Sequence, residues 1–213
     1  MTELLPSTPH GLDRAASLIG GGALVAFPTD TVYGVAVAAG REDRLDALYE
    51  LKARPAEKRI AMLVAGLDQV EALGWMPDGR ARLLAERFWP GGLTLVLTGS
   101  DGATQGFRAP DHPVTLELIR RSGPLLTTSA NRSSEPDTLA ADEVLIAFAL
   151  QQDELAAVVD GGPVPGGRPS TVIDLSVTPA RVLRIGPIAR NELANTVDVT
   201  PEAEVPTAAP TAG

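Results

Sequence analysis

The chain has 213 residues, 44% of them hydrophobic, and a formal net charge of -9. This length suits one domain with a core of its own, because single domains cluster around ~100–200 residues. The lack of cysteine excludes disulfides, thiolate metal sites and cysteine nucleophiles, and the negative charge argues against broad, nonspecific binding to nucleic acid.

Helices and strands are predicted to alternate along the chain. Apolar residues at helical spacing predict helices, and short apolar runs between turn residues predict strands. In chain order the predicted helices are Gly11–Ile19, Arg41–Lys52, Asp68–Leu73, Asp78–Phe88, Pro113–Arg121 and Leu139–Leu150. The predicted strands are Ala23–Phe27, Tyr33–Ala38, Ile60–Ala65, Leu93–Thr98, Pro124–Ser129, Ala156–Asp160, Ser170–Leu175 and Ala180–Gly186. This alternation predicts an α/β fold, with a sheet covered by helices.

The C-terminal segment differs in composition from the rest of the chain. It is rich in Pro, Ala and Thr, it has no large aromatic residue, and no Lys or Arg follows Arg190. Such a segment buries too little apolar surface to order itself. We therefore expect a folded domain over residues 1–194 and a disordered acidic tail over residues 195–213.

Targeting and membrane signals are absent from the sequence. The N-terminus has no basic segment followed by an apolar run, as a secretory signal would. No apolar run approaches the ~18 residues that a membrane helix needs. We therefore expect a cytoplasmic protein with no membrane partner.

The common signatures of nucleotide binding and hydrolysis are also missing. The sequence has no G-x-x-x-x-G-K-[ST] loop, no convincing G-x-G-x-x-G after a strand and no G-x-S-x-G elbow. The glycine-rich segment 161–170 contains prolines, which remove amide donors, and is better read as a flexible loop. The two histidines are far apart in sequence, so we predict no metal site built from protein side chains.

Polar side chains instead gather where strands and helices end. Lys52 and Arg54 lie at a predicted helix C-terminus, where they suit either the helix dipole or a bound phosphate. The segment 127–131 follows a strand and suits either a turn or a binding site. Further candidates are Thr94, Arg108 and Ser170 at predicted strand starts and Arg184 on a late strand. Together they predict a ligand crevice at one edge of the sheet.

Several segments in a fixed order resemble one known family. They are FPTDTVYGVA, the K-x-R-P of LKARPAEKR, WPGGLTLVL, TSAN, PSTVID and LRIG, spread between Gly11 and Arg190. Their wording and order closely resemble the YrdC/Sua5 family of threonylcarbamoyl-AMP synthases. The resemblance implies a YrdC-like twisted mixed sheet with flanking helices around a large open cavity. The long form of the family has a second domain, and this chain resembles the short, single-domain form.

The resemblance also implies a reaction. L-Threonine, bicarbonate or CO2, and ATP would give L-threonylcarbamoyladenylate and pyrophosphate, with Mg²⁺ assisting at the phosphates. A separate tRNA-modifying transferase complex would then pass the threonylcarbamoyl group to adenosine 37 of tRNA, and weak contact with tRNA itself is a further expectation. Such chemistry depends on positioning and charge neutralisation more than on a covalent nucleophile.

The resemblance carries over to individual side chains. It implies that Lys52 and Arg54 act on phosphate oxygens as the catalytic residues. The ATP-binding set would be Lys52, Arg54, Thr94, Ser129, Asn131 and Arg184. The threonine-binding set would be Thr29, Thr31, Tyr33, Arg108 and Ser170, with Tyr33 as a wall of the pocket.

The chain departs from the family pattern at four places. Arg59 and Ile60 stand where a Pro-Leu pair is usual, and Gly92 stands where a proline is usual. Ser134 replaces a glycine after TSAN, and Leu63 stands where long members carry a histidine. Two alternatives therefore stay open: an RNA-binding protein of the same fold, and a paralogue that makes another carbamoyl-adenylate.

Overall fold

The protein is described by a computed structural model over residues 1–53, 60–151 and 154–201. Its strands are β1 (Glu3–Pro6), β2 (Leu24–Phe27), β3 (Gly34–Ala38), β4 (Ala61–Leu63), β5 (Leu93–Thr98), β6 (Thr104–Arg108), β7 (Leu125–Ser129), β8 (Leu155–Asp160), β9 (Thr171–Asp174) and β10 (Arg181–Arg184). Its helices are α1 (Pro9–Gly20), α2 (Leu45–Lys52), α3 (Leu67–Ala72), α4 (Gly79–Phe88), α5 (Pro113–Ser122), α6 (Ala141–Ala147) and α7 (Arg190–Ala194). Over these three ranges, no helix is long and apolar enough to cross a bilayer.

All the strands join one mixed sheet in the order β1-β8-β2-β3-β7-β4-β6-β5-β9-β10. Parallel pairs (β1 with β8, β8 with β2, β4 with β6, β5 with β9) are interspersed with antiparallel ones. The mixed sheet with helices on its faces confirms the predicted fold class.

Alternate residues of each strand point to opposite faces of the sheet. One face carries side chains such as Leu95 of β5, Phe107 of β6 and Leu126 of β7, and it packs against buried residues of α2, α3, α4, α6 and α7. The other face carries Phe27 of β2 and Val159 of β8, and it packs against α1 and α5. The sheet is therefore the middle of three layers.

The layer formed by α1 and α5 covers only part of its face. The strands that α1 contacts are β1, β2, β3 and β8, at one end of the strand order. Farther along, β7, β4, β6 and β5 present Thr127, Ala61, Arg108 and Thr94 toward the same side, where these residues line a cavity. The incomplete helical layer is what leaves room for a site.

Two strands, β1 and β6, were not predicted from the sequence. β1 is a short edge strand in which only Leu5 is buried. β6 has the sequence TQGFR, which lacks an apolar run, because its cavity side carries Gly106 and Arg108. The prediction that Arg108 begins a strand is therefore wrong: Arg108 ends β6, opposite Leu63 of β4.

The packed part of the chain continues beyond Ala194. Val197 is buried, and Ala180 and Val199 form an isolated parallel bridge. The amide of Thr200 donates to the carbonyl of Ala180 at 2.8 Å. The boundary predicted at residue 194 thus lies too early. The tail from residue 202 onward falls outside the described residues, and its disorder stays a prediction.

A pair of truncations tests this boundary. A chain that stops after Ala194 loses the burial of Val197, worth about 1.5–3 kcal/mol, together with the backbone bonds to Ala180. We expect its thermal midpoint to fall by several degrees, whereas a chain that stops after Pro201 should melt like the full chain. Equal midpoints for the two truncations would contradict the boundary at Thr200.

Candidate functional site

The cavity brings most of the predicted site residues together. Of the residues predicted from the sequence, those that line it are Thr29, Thr31, Tyr33, Thr94, Arg108, Ser129, Ser170 and Arg184. Asn131 and Lys52 are buried directly behind Ser129, and Arg54 lies outside the described residues. The predicted crevice at the sheet edge is too narrow a description, because Thr127 and Thr128 from within β7 also line the cavity.

Two glycines leave space above the sheet on the side of the cavity, because they have no side chain. A Cβ on Gly106 would lie 3.2 Å from Thr94 Cγ2, and one on Gly34 would lie 3.0 Å from Thr127 Cγ2. Both separations are tighter than ordinary contacts between carbon atoms. Larger side chains at these positions would occupy the space that a ligand needs.

The turn after β2 is held together by its own hydroxyl groups. Thr29 Oγ1 accepts from the amides of Thr31 (3.2 Å) and Val32 (3.3 Å) and donates to the carbonyl of Val32 at 2.6 Å. It also lies 3.1 Å from Thr31 Oγ1. This arrangement is an ST-turn, a local alternative to strand pairing. Thr29 therefore shapes the turn, and Thr31 shares its hydroxyl network at the cavity wall.

Tyr33 fastens a distant loop to this turn. Its ring is fully buried, its hydroxyl donates to the carbonyl of Gly162 at 2.8 Å, and it accepts from the amide of Gly161 at 3.4 Å. Burial raises the pKa of the Tyr33 phenol above its usual value, with the Gly161 amide acting in the opposite direction. The predicted wall of the pocket is thus also an anchor for the loop that leads to Ser170.

Arg108 reaches the cavity from the end of β6 with its charge already paired. Its Nη2 lies 2.7 Å from both carboxylate oxygens of Asp30, and its Nε donates to the carbonyl of Gly91 at 2.9 Å. The two side chains are only 10% and 17% exposed, so the pair is poorly screened by water. Asp30 was not among the predicted site residues, although it lies within the quoted FPTDTVYGVA segment.

Ser170 joins two residues that the sequence placed in a different set. Its hydroxyl lies 2.8 Å from Thr94 Oγ1, and Arg184 donates to it from Nη2 at 3.2 Å and to its carbonyl from Nε at 2.9 Å. Burial lowers the pKa of the Arg184 guanidinium, and the charge of Arg108 lowers it further. Ser170, Thr94 and Arg184 thus form one cluster, in contact with both predicted sub-sites.

Lys52 belongs to a third cluster, at the end of β7. Its ammonium is almost fully buried and donates to the carbonyl of Ser129, to Ser129 Oγ (3.2 Å) and to Asn131 Oδ1 (3.2 Å). Ser129 Oγ donates to Asn131 Oδ1 at 2.6 Å, and Asn131 Nδ2 donates to the carbonyl of Glu135 at 2.6 Å. Lys52 therefore holds the TSAN segment in place in this structure.

No group of three or more His, Asp or Glu side chains that could hold a metal occurs in the part of the chain that the structure describes. Among the cavity residues that the structure describes, Asp137 alone carries a carboxylate, and the neighbouring Asp30 is paired with Arg108. These residues do not form a resident Mg²⁺ site, because Mg²⁺ prefers near-octahedral oxygen ligands.

Comparison with known proteins places this architecture in a family. The Sua5/YciO/YrdC family model, described as telomere recombination, matches residues 17–186. The chain belongs to the Sua5/YciO/YrdC family. It is 36% identical over 204 residues to a threonylcarbamoyl-AMP synthase of Bacillus subtilis, covering 91% of this chain and 58% of that relative.

Further relatives differ in length. A putative threonylcarbamoyl-AMP synthase of Mycobacterium tuberculosis is 36% identical over 200 residues, which cover 89% of this chain and 90% of that relative. The crystal structure of P. abyssi Sua5 complexed with L-threonine has a TM-score of 0.83 and 33% identity, over 94% of this chain and 63% of that chain. The chain thus spans less than two thirds of the length of some relatives and nearly all of the length of another. The family resemblance inferred from the sequence motifs is confirmed.

The departures from the Sua5/YciO/YrdC pattern have local structural consequences. A Cβ on Gly92 would lie 2.3 Å from Cγ of Pro187, so this chain uses the space beside Gly92 for Pro187. Leu63 lines the cavity with an apolar surface. Arg59 lies outside the described residues. Ser134 has a φ of 71°, a left-handed conformation that a glycine adopts without strain.

Replacing Ser134 by glycine tests that last point. A left-handed conformation costs a non-glycine residue roughly 1–2 kcal/mol, and the extra chain entropy of glycine cancels part of the gain. We expect Ser134→Gly to raise the free energy of unfolding by about 0.5–1 kcal/mol in denaturant titrations. Ser100→Gly is the control, because Ser100 has no positive φ, and it should be neutral or slightly destabilising. The same response from both variants would contradict strain at Ser134.

Removing the Tyr33 hydroxyl tests the loop anchor. Tyr33→Phe keeps the buried ring but loses the hydrogen bond to Gly162, so we expect about 0.5–1.5 kcal/mol of destabilisation. We also expect faster amide hydrogen exchange across residues 161–170, with no change in the α1 and α5 layer. Unchanged exchange in that loop would show that the hydroxyl does not anchor it.

Proposed function

We propose that this chain forms L-threonylcarbamoyladenylate and pyrophosphate from L-threonine, bicarbonate or CO2, and ATP. The observation that supports it best is the pairing of two guanidinium groups, Arg108 and Arg184, with a set of hydroxyl side chains in one cavity. The substrates bring a carboxylate, a carbamate and a triphosphate to one place. A guanidinium offers planar donors that match carboxylates and phosphates.

The reaction needs no covalent intermediate on the protein. The amine nitrogen of threonine first forms a bond to the carbon of CO2, with loss of a proton, or to that of bicarbonate, with loss of water, and gives a carbamate. A carbamate oxygen then attacks the α-phosphorus of ATP, a bond forms between them, and the bond from the α-phosphorus to the bridging oxygen breaks to release pyrophosphate. What the protein supplies is alignment and charge neutralisation. Mg²⁺ would enter with ATP, as part of the substrate.

The clusters suggest a division of labour. Arg108, Thr31 and Tyr33 would hold threonine near the turn after β2. Ser129 and Asn131, held in place by Lys52, would face the nucleotide, and Arg54 would contact its phosphates. Thr94, Ser170 and Arg184 lie between these groups and would bind the carbamate and the α-phosphate, where the two substrates meet.

The product would be used elsewhere. We propose that a separate transferase complex passes the threonylcarbamoyl group to tRNA, with at most weak contact between tRNA and this chain. An RNA-binding role without catalysis would need a broad basic surface, which the net charge of -9 does not favour. A paralogue that makes another carbamoyl-adenylate would share the nucleotide cluster and differ at the threonine side.

Pyrophosphate release measured with three amino acids tests the proposal. Serine lacks one methyl group, which is worth only about 1–3 kcal/mol in an apolar pocket. Valine lacks the hydroxyl, so any polar group that pairs with this hydroxyl would be left buried and unpaired. We expect kcat/KM to fall from threonine to serine and to be lowest for valine, and release to require bicarbonate.

Two results would contradict the proposal in different ways. Valine outperforming serine would mean that the pocket reads shape alone, and the assigned hydroxyl partners would be wrong. Pyrophosphate release that does not depend on any of the three amino acids would remove the threonylcarbamoyl reaction itself and favour the paralogue.

A further inference from the structure

The Asp30–Arg108 pair lies beside the cavity. Arg108 lines the cavity, whereas Asp30 is not among the lining residues that the structure describes. Both oxygens of Asp30 lie 2.7 Å from one nitrogen, Nη2 of Arg108. The carboxylate therefore engages one end of the guanidinium, at Nη2.

A second contact fixes the orientation of the same guanidinium. Its Nε donates to the carbonyl of Gly91 at 2.9 Å, in the segment that leads into β5. With Nε and Nη2 engaged, the donors of Nη1 have no partner among the described residues. The planar group can then rotate very little, and its Nη1 donors stay available to an incoming anion.

The surroundings make this pair a strong constraint. The side chains of Arg108 and Asp30 are 10% and 17% exposed, so their attraction is only weakly screened. Arg184, the other cavity arginine, is held differently, by donation to the carbonyl and hydroxyl of Ser170. Within the described ranges, Arg108 is thus the cavity arginine that is positioned by a carboxylate.

We propose that Asp30 is a positioning residue for the amino-acid substrate, which acts through Arg108. It holds the guanidinium so that the substrate carboxylate meets the Nη1 donors without reorganisation, and it offsets the charge of Arg108 beside Arg184. This inference rests on the proposed function, because it takes the carboxylate of threonine as the ligand of Arg108. Pre-organisation of this kind increases affinity by lowering the entropy lost on binding.

The alternative to positioning is competition between the Asp30 carboxylate and the substrate carboxylate for Arg108. A carboxylate beside an arginine can compete with a bound anion, and its removal would then tighten binding. The geometry favours positioning over competition, because both Asp30 oxygens lie on Nη2 and leave the Nη1 donors without a partner among the described residues. Asp30 should therefore support threonine binding and should matter little for ATP.

Calorimetric threonine binding and steady-state kinetics of Asp30→Asn test this inference. We expect the Kd and KM for threonine to rise about tenfold or more, with kcat at saturating threonine and the KM for ATP within about twofold. Asp30→Glu keeps the carboxylate and should recover part of the loss. Asp43→Asn is the matched control, because Asp43 forms a similar two-oxygen pair with Arg41 on the exposed surface, and it should bind threonine like wild type.

A double-mutant cycle separates positioning from a direct role. In an Arg108→Ala background, Asp30→Asn should change the threonine Kd by less than about twofold, because the residue through which it acts is gone. A further large loss there, or tighter threonine binding by Asp30→Asn alone, would overturn the inference. Unchanged threonine binding in Asp30→Asn would overturn it too, whereas wild-type protein that binds no threonine would overturn the proposed function first.

Discussion

Polar groups on a sheet face that no helix covers must pair with one another or with a bound ligand. Here α1 and α5 cover one end of a face of the ten-stranded sheet, and the cavity occupies the face beyond them. Burial of unpaired polar groups is costly, so the side chains there pair with one another: Arg108 with Asp30, Ser170 with Thr94 and Arg184, and Lys52 with the TSAN segment. Each of the three clusters links segments that are distant in sequence.

The cavity combines small residues on the sheet face with charged groups at its border. The cavity side of the sheet carries glycines at positions 34 and 106, where any side chain would crowd a threonine methyl group. The charged groups stand at its borders and are fixed by bonds to backbone carbonyls, as in Arg108 to Gly91 and Arg184 to Ser170. Preorganised donors of this kind are what adenylate formation would require.

Much of the fold could be predicted from the sequence, because apolar periodicity marks α1 to α6 and most strands, although α7 was not predicted. β6 was not predicted, because the cavity side of this strand carries Gly106 and Arg108 and its sequence therefore has no apolar run. The C-terminal boundary was placed too early, because the burial of Val197 depends on contacts with the distant Ala180 segment rather than on local composition. Tertiary context decides such cases.

The sequence motifs contain most of the residues that line the cavity, but they do not show how these residues pair. Hydroxyl and arginine positions follow from the motifs, whereas the partner of Arg108 is 78 positions away in sequence, and Ser170 is 76 positions from Thr94. Only the sheet order brings these residues together, which is why Ser170 was assigned to the threonine set alone. Asp30 carried no signal of its own, because a single acidic residue in a turn is ordinary.

We expect the substrates to bind on the part of this sheet face that α1 and α5 leave uncovered. A crystal structure of the protein grown with L-threonine and a non-hydrolysable ATP analogue tests it most directly. We expect threonine density over β4, β6 and β7, with its carboxylate within hydrogen-bond distance of Arg108 Nη1, and phosphate density beside Arg184 and Ser129. Threonine bound elsewhere, or an empty cavity at saturating ligand, would show that the substrates do not bind on this face.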